Sequence, residues 1–509
     1  MNSSFFQNDK EAFTFMRQCG CCLRCCLRFT GYRNLQCYED PISTVKNLKY
    51  IDEHEKVVDE NICIICLGFL HDSIQDEALT KISEAVGEGD YDSDTFSCSL
   101  TIPTVLPVRE RLMNISLVQK HPLLHGTQEN FIYRIQNIKD IWKFLITPKV
   151  ETVLQKKVEV TAATSSLVID IFITYADDDK ECKALLYSKE QAMKTNTKRK
   201  RKHNATICSK KNIETMLNSI TDNQLLEYCK SPPSQPVSIV VVDKVTCLHR
   251  SIYIGGRYNK FSRELSQTPW FIDGHKKMET SVQELLCQPI MKYTKADSMK
   301  FLSSGREDVD VRTIYYGRPF AVELVNPKVT KITDETLLRL NSIINDSSKQ
   351  IKSVTDLKLL SKTDLNKLKL GEVTKSKTYR ALCLCRNGLN DFTSLEKLNH
   401  TENLKIVQKT PTRVLHRRPL TPRIRIIHKM RANWIEPEKL QNVPDSLITK
   451  LKTYNQYFFI LDIKTQAGTY VKEFVHGDFG RTKPNLCNLL NADVDIVTLD
   501  VTSINLDWP

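Results

Sequence analysis

The sequence predicts an α+β protein with more than one domain, and three observations lead to that class. The chain has 509 residues, which is too long for one ordinary core. Its composition, with 41% hydrophobic and 26% charged residues, is typical of a soluble globular fold. Strand-like and helix-like segments interleave in both halves, and no internal repeat is visible.

The first half contains predicted strands at 167–175 and 237–242, because both are apolar, β-branched runs of strand length. Residues 155–160 are strand-like and residues 213–228 are helix-like, which predicts an α+β domain. We place the domain boundary near Tyr253. The predicted domains are an accessory domain, 1–252, and a second domain, 253–509.

The second half has clearer helix signals. Ser281 and Glu284 have the spacing of a capping box, which predicts a short helix that ends by Pro289. Thr333 is predicted to cap another helix with a broad apolar face. That face comprises Leu337, Leu338, Leu340, Ile343 and Ile344. The predicted strands are 318–325, 423–426 and 457–461.

Charge and composition narrow the classes of function that the sequence allows. A net charge of +13, from 73 basic and 60 acidic residues, favours contact with phosphate. The first residues have neither a cationic lead nor an apolar core, so we expect no secretory signal. Apolar runs fall far short of the roughly 20 residues that a membrane helix needs, so we expect no transmembrane role. No glycine-rich nucleotide motif is present, which weakens a methyltransferase or thiolation alternative.

A basic stretch, KTNTKRKRKH at 194–203, contains six lysines and arginines and no apolar residue. It predicts a loop with three alternative roles: a nuclear import signal, a further contact with RNA phosphates, or a solvated linker. We expect the protein in the nucleus and the cytoplasm.

The segment 303–312, SSGREDVDVR, places two aspartates between two arginines over a short distance. Opposite charge within a few ångströms favours an ionised carboxylate, and such a carboxylate can act as a nucleophile. Asp308 is therefore the candidate catalytic residue. In the alternative interpretation, Arg306, Asp308, Asp310 and Arg312 share one face of a strand and form a surface charge ladder.

The 17 cysteines, in a chain without an apparent export signal, predict reduced thiols and metal binding. Two Cys-x-x-Cys pairs, Cys22 with Cys25 and Cys63 with Cys66, have the spacing of a structural zinc site. Four thiolates would leave no open position for a catalytic water. Cys19 with Cys22 is an alternative pair.

Two motifs carry a resemblance. The run 305–308, GRED, resembles the Gly-Arg-x-Asp signature of pseudouridine synthases, and 468–472, GTYVK, resembles their later motif. Longer runs are similar to the pseudouridine synthase 10 family, the archaeal and eukaryotic enzymes acting on the TΨC arm of tRNA. These runs are 256–270, 303–312, 318–327, 409–420 and 464–485.

The resemblance implies a catalytic core with a mixed, mainly antiparallel sheet in 253–509. It also implies a zinc-binding cysteine quartet and a THUMP-like RNA-binding fold in 1–252. The implied zinc is structural, and no organic cofactor is expected. The implied ligands are Cys22, Cys25, Cys63 and Cys66.

The resemblance also assigns site residues. Asp308 would be catalytic, and Lys472 would pair with it and keep it ionised. Tyr379 would contact the flipped uracil and is a candidate to accept the C5 proton, while Tyr470 would pack beneath the carboxylate or touch the base. The other predicted substrate contacts are Arg306, Arg257, Lys260, Arg417 and Arg418. They belong to a wider basic and aromatic set with Arg263, Arg413, His416, Arg481, Tyr258, Phe261 and Trp270.

The function expected from this resemblance is isomerisation of uridine 54, uridine 55 or both in the T arm of tRNA. Other structured RNAs are further candidate partners, and a monomer is expected. The alternative is a catalytically silent, zinc-containing RNA-binding adaptor. Retention of Asp308, Tyr379 and Lys472 argues against that alternative.

Overall fold

A computed structural model of the chain describes residues 3–55, 61–121, 135–159, 167–183, 210–353, 355–386, 393–435, 449 and 458–509. The chain divides into two compact units, Met1–Arg250 and Ser251–Pro509. Within the described ranges, no helix combines the length and the apolar character needed to cross a bilayer. The basic stretch 194–203 lies outside the described residues.

Among the residues of the first unit that the structure describes, four strands form a sheet. Its strands are β1 (Thr95–Thr101), β2 (Lys157–Val158), β3 (Leu167–Thr174) and β4 (Val241–His249). The order is β2-β1-β3-β4, with β1 parallel to both β2 and β3, and β4 antiparallel to β3. The helices are α1 (Ser3–Gln18), α2 (Leu23–Phe29), α3 (Pro41–Asn47), α4 (Asp72–Gly87), α5 (Leu106–Lys120), α6 (Ile138–Leu154), α7 (Lys210–Ser219) and α8 (Asp222–Leu226), with a 3₁₀ helix at Leu35–Tyr38.

Strand β3 matches the predicted strand at 167–175, since its alternate residues are buried. The strand predicted at 237–242 begins later, at Val241. Val237 is 90% exposed, and the Val240 amide donates to the carbonyl of Leu67 before β4 starts. Because β4 is the last strand in the order, it tolerates polar residues. Most of its sequence therefore lacks the continuous apolar run on which the strand prediction was based.

In the described part of the second unit, eleven strands form one sheet. The strands of this unit are β5 (Ile252–Lys260), β6 (Phe271–Ile272), β7 (His275–Lys276), β8 (Ser298–Ser303), β9 (Arg312–Val325), β10 (Ile351–Ser353), β11 (Lys358–Leu360), β12 (Ser376–Cys385), β13 (Glu402–Gln408), β14 (Arg423–Trp434), β15 (Phe458–Gln466), β16 (Thr482–Lys483) and β17 (Val494–Ile504). The helices are α9 (Val282–Thr294), α10 (Asp334–Ser347), α11 (Lys362–Thr374), α12 (Ser394–Asn399), α13 (Val471–His476) and α14 (Leu486–Leu490), with a 3₁₀ helix at Thr412–Arg417.

The main path of this sheet is β10-β5-β9-β17-β12-β15-β14-β13-β16, with β11 on β5 and β8 on β9. Among the strand pairs of this sheet that the structure describes, β9 with β17 is parallel and the others are antiparallel. Strands β6 and β7 form a separate hairpin. The predicted α+β class with a mixed sheet is therefore confirmed. Two apolar cores pack on the sheet, one around β5, β9, α9 and α10, the other around β12, β15 and α13.

Two helix predictions need correction in detail. Ser281 caps α9 as predicted, but the helix runs through Pro289 to Thr294. Burial of Ile290 and Thr294 holds the turn beyond the proline, which outweighs the lost backbone hydrogen bond. In α10, capped by Thr333 as predicted, Leu337, Leu340 and Ile344 are buried, whereas two other residues of the predicted apolar face are exposed. These two are Leu338 and Ile343.

Candidate active site and metal centre

Asp308 lies in the loop between β8 and β9, so the strand-borne charge ladder does not form. The loop turns at Gly305, whose φ is +84°, and a Cβ there would lie 2.6 Å from the Nζ of Lys377. Lys260 holds the far side of the loop. Its ammonium donates to the carbonyl oxygens of Asp308 at 3.1 Å and of Val309 at 2.7 Å, and also to that of Leu265.

The Asp308 carboxylate faces two cations. Its Oδ2 lies 2.9 Å from Nη1 of Arg413 and 3.4 Å from Nζ of Lys472. The Asp308 side chain keeps 42% of its surface exposed, so solvent and a substrate can reach it. The arrangement is that of a carboxylate held by charge-assisted hydrogen bonds with one side open.

Both cations are themselves held by carboxylates. Nε of Arg413 donates to Oε1 of Glu473 at 2.6 Å, and Glu473 is 3% exposed. Lys472 donates to both oxygens of Asp310, at 2.8 and 2.7 Å. Helix α13 supplies Lys472 and Glu473 from adjacent positions, and the 3₁₀ helix supplies Arg413. Asp308 is thus the central member of a chain of ion pairs that runs from Glu473 through Arg413 and Lys472 to Asp310.

Electrostatics in this cluster follow from burial and pairing. Burial alone would lower the pKa of Arg413, but the hydrogen bonds that Arg413 donates to Glu473 and Asp308, together with the charges of these carboxylates, outweigh burial, and the pKa is raised. Burial would raise the pKa of Asp310, but its hydrogen bonds with Lys472 lower it. Burial lowers the pKa of Lys260 to about 8, against the attraction of nearby carboxylates. Above that pH, a neutral amine has only two N–H groups for three carbonyls.

A buried network lies beneath the loop. Nε of Arg318 lies 2.6 Å from Oε2 of Glu307, and both side chains are almost fully buried. Oε1 of Glu307 accepts a hydrogen bond from the Tyr258 hydroxyl at 2.8 Å, and Gln267 donates to the other oxygen. Arg318 also donates to the carbonyl of Ser304. The network ties the residue before Asp308 to the core.

Replacing Glu307 by alanine is expected to lower the free energy of unfolding by about 3–5 kcal/mol, because Arg318 would be left as an unpaired buried charge. Urea unfolding of the purified protein measures this. Glu323→Ala is the matched control, since Glu323 pairs with the exposed Lys300, and about 1 kcal/mol or less is expected. An equal loss of unfolding free energy in the two variants would contradict the role of Glu307 as the partner of the buried Arg318 charge.

Two predicted RNA contacts are corrected by burial. Lys260 is 0% exposed and its three donors are used on backbone carbonyls. Arg257 is 7% exposed, and its guanidinium donates over 2.7–3.3 Å to the carbonyls of Tyr316, Gly317, Ile504, Leu506 and Trp508. Neither charge faces solvent, so both residues support the backbone where phosphate contact was expected.

The remaining predicted contacts differ in position. Arg306 and Arg418 are exposed, and Arg418 lines a pocket with Tyr470. Tyr470 is half-buried, and its backbone exchanges two hydrogen bonds with the side chain of Gln408. Tyr379 in β12 is half-buried. The side chain of Arg417 lies outside the described part of the structure.

Sequence reasoning underestimated three residues. Arg413 was expected to contact phosphate, yet it makes the closest ion pair of Asp308. Glu473 and Asp310 hold the two cations. In the sequence, Glu473 stands out only by its position directly after Lys472. Its burial is visible only in the structure.

The four predicted zinc ligands come together in the first unit. The sulfur atoms of Cys22, Cys25, Cys63 and Cys66 all lie within 4.8 Å of one another, and all four residues are buried. The Cys22 and Cys66 sulfurs are 3.8 Å apart. Four sulfurs bound at about 2.3 Å to a tetrahedral zinc ion would lie about as far from one another as the Cys22 and Cys66 sulfurs do here. The cluster could therefore hold a metal ion, and Cys19 is not part of it.

Surrounding groups suit a cluster of thiolates. Nη1 of Arg28 donates to the Cys25 sulfur at 3.9 Å, and Arg28 is buried in an ion pair with Glu110. A cation beside the sulfurs offsets part of the negative charge that four thiolates and one divalent ion leave. Arg24, one residue before Cys25, donates to the carbonyls of Tyr38 and Leu70 and anchors this helix.

Comparison with known proteins gives the family. A family profile described as "Pus10, C-terminal" matches residues 253–505, and one described as "Eukaryotic Pus10, N-terminal" matches residues 63–247. The human protein named tRNA pseudouridine synthase Pus10 is 36% identical over 452 residues, which are 88% of this chain and 79% of that protein. This chain belongs to the Pus10 family.

Other Pus10 members extend the match. The mouse tRNA pseudouridine synthase Pus10 is 32% identical over 551 residues, which cover 99% of this chain and 98% of that protein. The member from Thermofilum pendens is 34% identical over 254 residues, 50% of this chain and 52% of its own length. The predicted family and class of enzyme are confirmed: the chain is an isomerase, a pseudouridine synthase of the Pus10 family.

Likeness to solved structures is much weaker. A crystal structure of a Cbf5-Nop10-Gar1 complex covers 48% of this chain and 48% of that chain at 14% identity, with a TM-score of 0.25. A structure of an H/ACA RNP bound to a substrate RNA containing 2'-deoxyuridine gives 12% identity and a TM-score of 0.23. Membership of the Pus10 family rests on the sequence matches.

Proposed function

We propose that this chain isomerises uridine 54, uridine 55 or both in the T arm of tRNA, with Asp308 as the catalytic residue. The observation that carries the proposal is the half-exposed Asp308 carboxylate, held by Arg413 and Lys472 and open on one side. The relatives support the proposal because they carry the name tRNA pseudouridine synthase.

The proposed reaction needs one carboxylate and no redox group. The bond between C1′ and N1 of the uridine breaks, the uracil rotates, and C5 bonds to C1′. C5 then loses its proton and N1 gains one, so the product is an isomer of the substrate. Asp308 either adds to the sugar or base, or assists elimination at the ribose. Arg413 and Lys472 hold the carboxylate in place in each case.

Tyr379 suits contact with the base better than proton transfer. It lies close enough to Arg318 to interact with its charge, and burial raises the pKa of Tyr379 to about 12. Near neutral pH the hydroxyl is therefore a phenol, which is a poor acceptor for the C5 proton. We assign Tyr379 to packing or hydrogen bonding against the flipped uracil.

The first unit is proposed to be an accessory RNA-binding domain with a THUMP-like fold and a structural zinc site at Cys22, Cys25, Cys63 and Cys66. Support comes from the mixed sheet flanked by helices and from the geometry of the four sulfurs. The zinc would contribute to folding and take no part in the isomerisation. We further propose tRNA as the main partner, a monomeric enzyme, and a distribution between nucleus and cytoplasm.

Transcript variants test the substrate position. Unmodified tRNA transcripts with cytidine at position 54, at position 55 or at both are incubated with the protein, and pseudouridine is mapped at single-nucleotide resolution. Product at the remaining uridine of at least one single variant, and none in the double variant, would support the proposal. Product elsewhere in the double variant, or none in the unaltered transcript, would overturn it.

Lys472→Ala is expected to lower the single-turnover rate by roughly 10²–10³-fold, because Asp308 loses one of its two cations and Asp310 is released. Lys472→Arg should stay within about tenfold of wild type, since it keeps the charge. Quench-flow measurement of pseudouridine with enzyme in excess gives the rate. A wild-type rate in Lys472→Ala would contradict the role.

A second pair of variants separates positioning from folding. Arg413→Ala should lower both rate and stability, because buried Glu473 loses its partner. Adding Glu473→Gln removes that unpaired charge, so the double variant should recover stability but not rate. Recovery of the rate would show that Arg413 acts only on the fold.

A further inference from the structure

The turn at 477–480 has an unusual backbone. Four consecutive residues adopt positive φ: Gly477 at +80°, Asp478 at +47°, Phe479 at +55° and Gly480 at +78°. Glycine accepts this region freely, but aspartate rarely and phenylalanine very rarely do so. A non-glycine residue in such a conformation costs of order 1–3 kcal/mol and persists only where the surroundings enforce it.

The surroundings enforce it here. The Asp478 side chain is 4% exposed and accepts hydrogen bonds from the amide of Thr412 at 3.0 Å and from its hydroxyl at 2.6 Å. Amides of Gly480 and Thr482 both donate to the carbonyl of Gly477. The turn is thus closed on itself and fastened to the 3₁₀ helix.

The turn held in this way exposes one aromatic ring, that of Phe479. Phe479 is 96% exposed, more than any other large apolar side chain that the structure describes. Exposing a phenylalanine gives up about 1.5–3 kcal/mol of burial energy, in addition to the backbone strain. An exposed ring on a turn whose backbone is held by hydrogen bonds suits a binding contact, because the backbone conformation is set before the partner arrives.

Nearby charge indicates the kind of partner. The carbonyl of Arg481 accepts from the amide of Lys409, and Nε of Arg481 donates to the carbonyl of Thr410. This links the turn to a shallow pocket whose lining includes four cationic residues and one aromatic ring. The pocket's cationic and aromatic lining comprises Lys409, Arg418, Arg423, Arg425 and Tyr470. An exposed ring beside clustered cations suits single-stranded nucleic acid, with stacking for the bases and charge for the phosphates.

The turn also connects to the candidate catalytic residue. Thr412, which binds Asp478, immediately precedes Arg413, which pairs with Asp308. Adding the covalent and hydrogen-bonded links puts the Phe479 Cα no more than roughly 25 Å from the Asp308 carboxylate. That is a reach of a few nucleotides along an RNA strand.

We propose that Phe479 stacks on an unpaired base of the RNA substrate and so positions the strand that enters the Asp308 site. This deepens the proposed function and rests on it for the identity of the RNA. Asp478 and the two glycines present the ring, and the cations of the neighbouring pocket hold the adjoining phosphates.

Phe479→Ala is expected to weaken binding of an unmodified tRNA transcript by roughly 5- to 150-fold, the range found when a stacking aromatic is removed. Phe479→Trp should keep affinity within about threefold, because every base can stack on an indole. Leu338→Ala, which removes an exposed apolar side chain from α10, is the control and should bind like wild type. The thermal midpoint should not change in any of the three variants, since these side chains face solvent.

Salt dependence separates stacking from charge. The slope of log affinity against log salt should be the same for Phe479→Ala and wild type, whereas Arg423→Ala should reduce it by about 1. Equal tRNA affinity of Phe479→Ala and wild type, or a reduced slope in Phe479→Ala, would overturn the stacking role. If wild type binds tRNA through Phe479 but forms no pseudouridine, the proposed function fails and the stacking role stands. If wild type does not bind tRNA, both fail.

Discussion

Asp308→Asn is expected to lower the single-turnover rate of isomerisation by a factor of at least about 10⁴, while tRNA affinity stays within about threefold. The substitution keeps the size of the side chain and an oxygen that can accept from Arg413. It removes the negative charge, so the side chain can neither attack the nucleoside nor stabilise a cationic sugar. Because Asp308 is 42% exposed and outside the buried network, the unfolding midpoint should change little.

Asp310→Asn is the matched control for charge. Asp310 lies two residues away and binds Lys472, so its loss disturbs the same ion pairs without removing the proposed nucleophile. We expect a loss of about 100-fold or less. Similar losses in the two variants would mean that the cluster acts through its overall charge. A greater loss in Asp310→Asn would move the catalytic assignment to Asp310.

Loss of the cysteine cluster is expected to have the second large effect, on folding. Structural zinc sites in small domains contribute apparent free energies of about 10–16 kcal/mol near neutral pH, which exceeds the total stability of most domains. Cys63→Ser should therefore yield a chain without bound zinc whose first unit does not fold cooperatively. Elemental analysis should find one zinc ion per wild-type chain, and thermal unfolding should show the lost transition.

Cys37→Ser is the control for this experiment, because Cys37 is only half-buried and is not in the cluster. It should retain one zinc ion and a thermal midpoint within about 2 °C of wild type, the size expected for a change of a few tenths of a kcal/mol. A wild-type protein that contains no metal after expression with added zinc would contradict the site. So would a Cys63→Ser variant with unchanged zinc content.

Much of the architecture could be predicted where one local signal dominates. Strand β3 is an apolar, β-branched run of strand length, and the N-caps Ser281 and Thr333 are visible as single residues. The prediction failed where distant contacts decide. The end of α9 depends on burial of Ile290 behind Pro289, and the start of β4 depends on pairing with β3.

The candidate site shows the same division. Asp308, Lys472 and the four cysteines could be chosen from motifs, because their chemistry is tied to short spacings. The contact of Arg413 with Asp308 joins residues 105 positions apart, and no spacing predicts it. Arg257 and Lys260 have the composition of an RNA-binding strand, yet burial converts both into supports for backbone carbonyls.

The central claim is that Asp308 carries out isomerisation of a T-arm uridine. The most direct measurement is tritium release from a tRNA transcript labelled at C5 of uridine, with wild type and Asp308→Asn in parallel, followed by pseudouridine mapping. We predict release by wild type that matches pseudouridine at position 54, 55 or both, and none by Asp308→Asn. Equal release by the two proteins, or tight binding with no release by wild type, would contradict the claim.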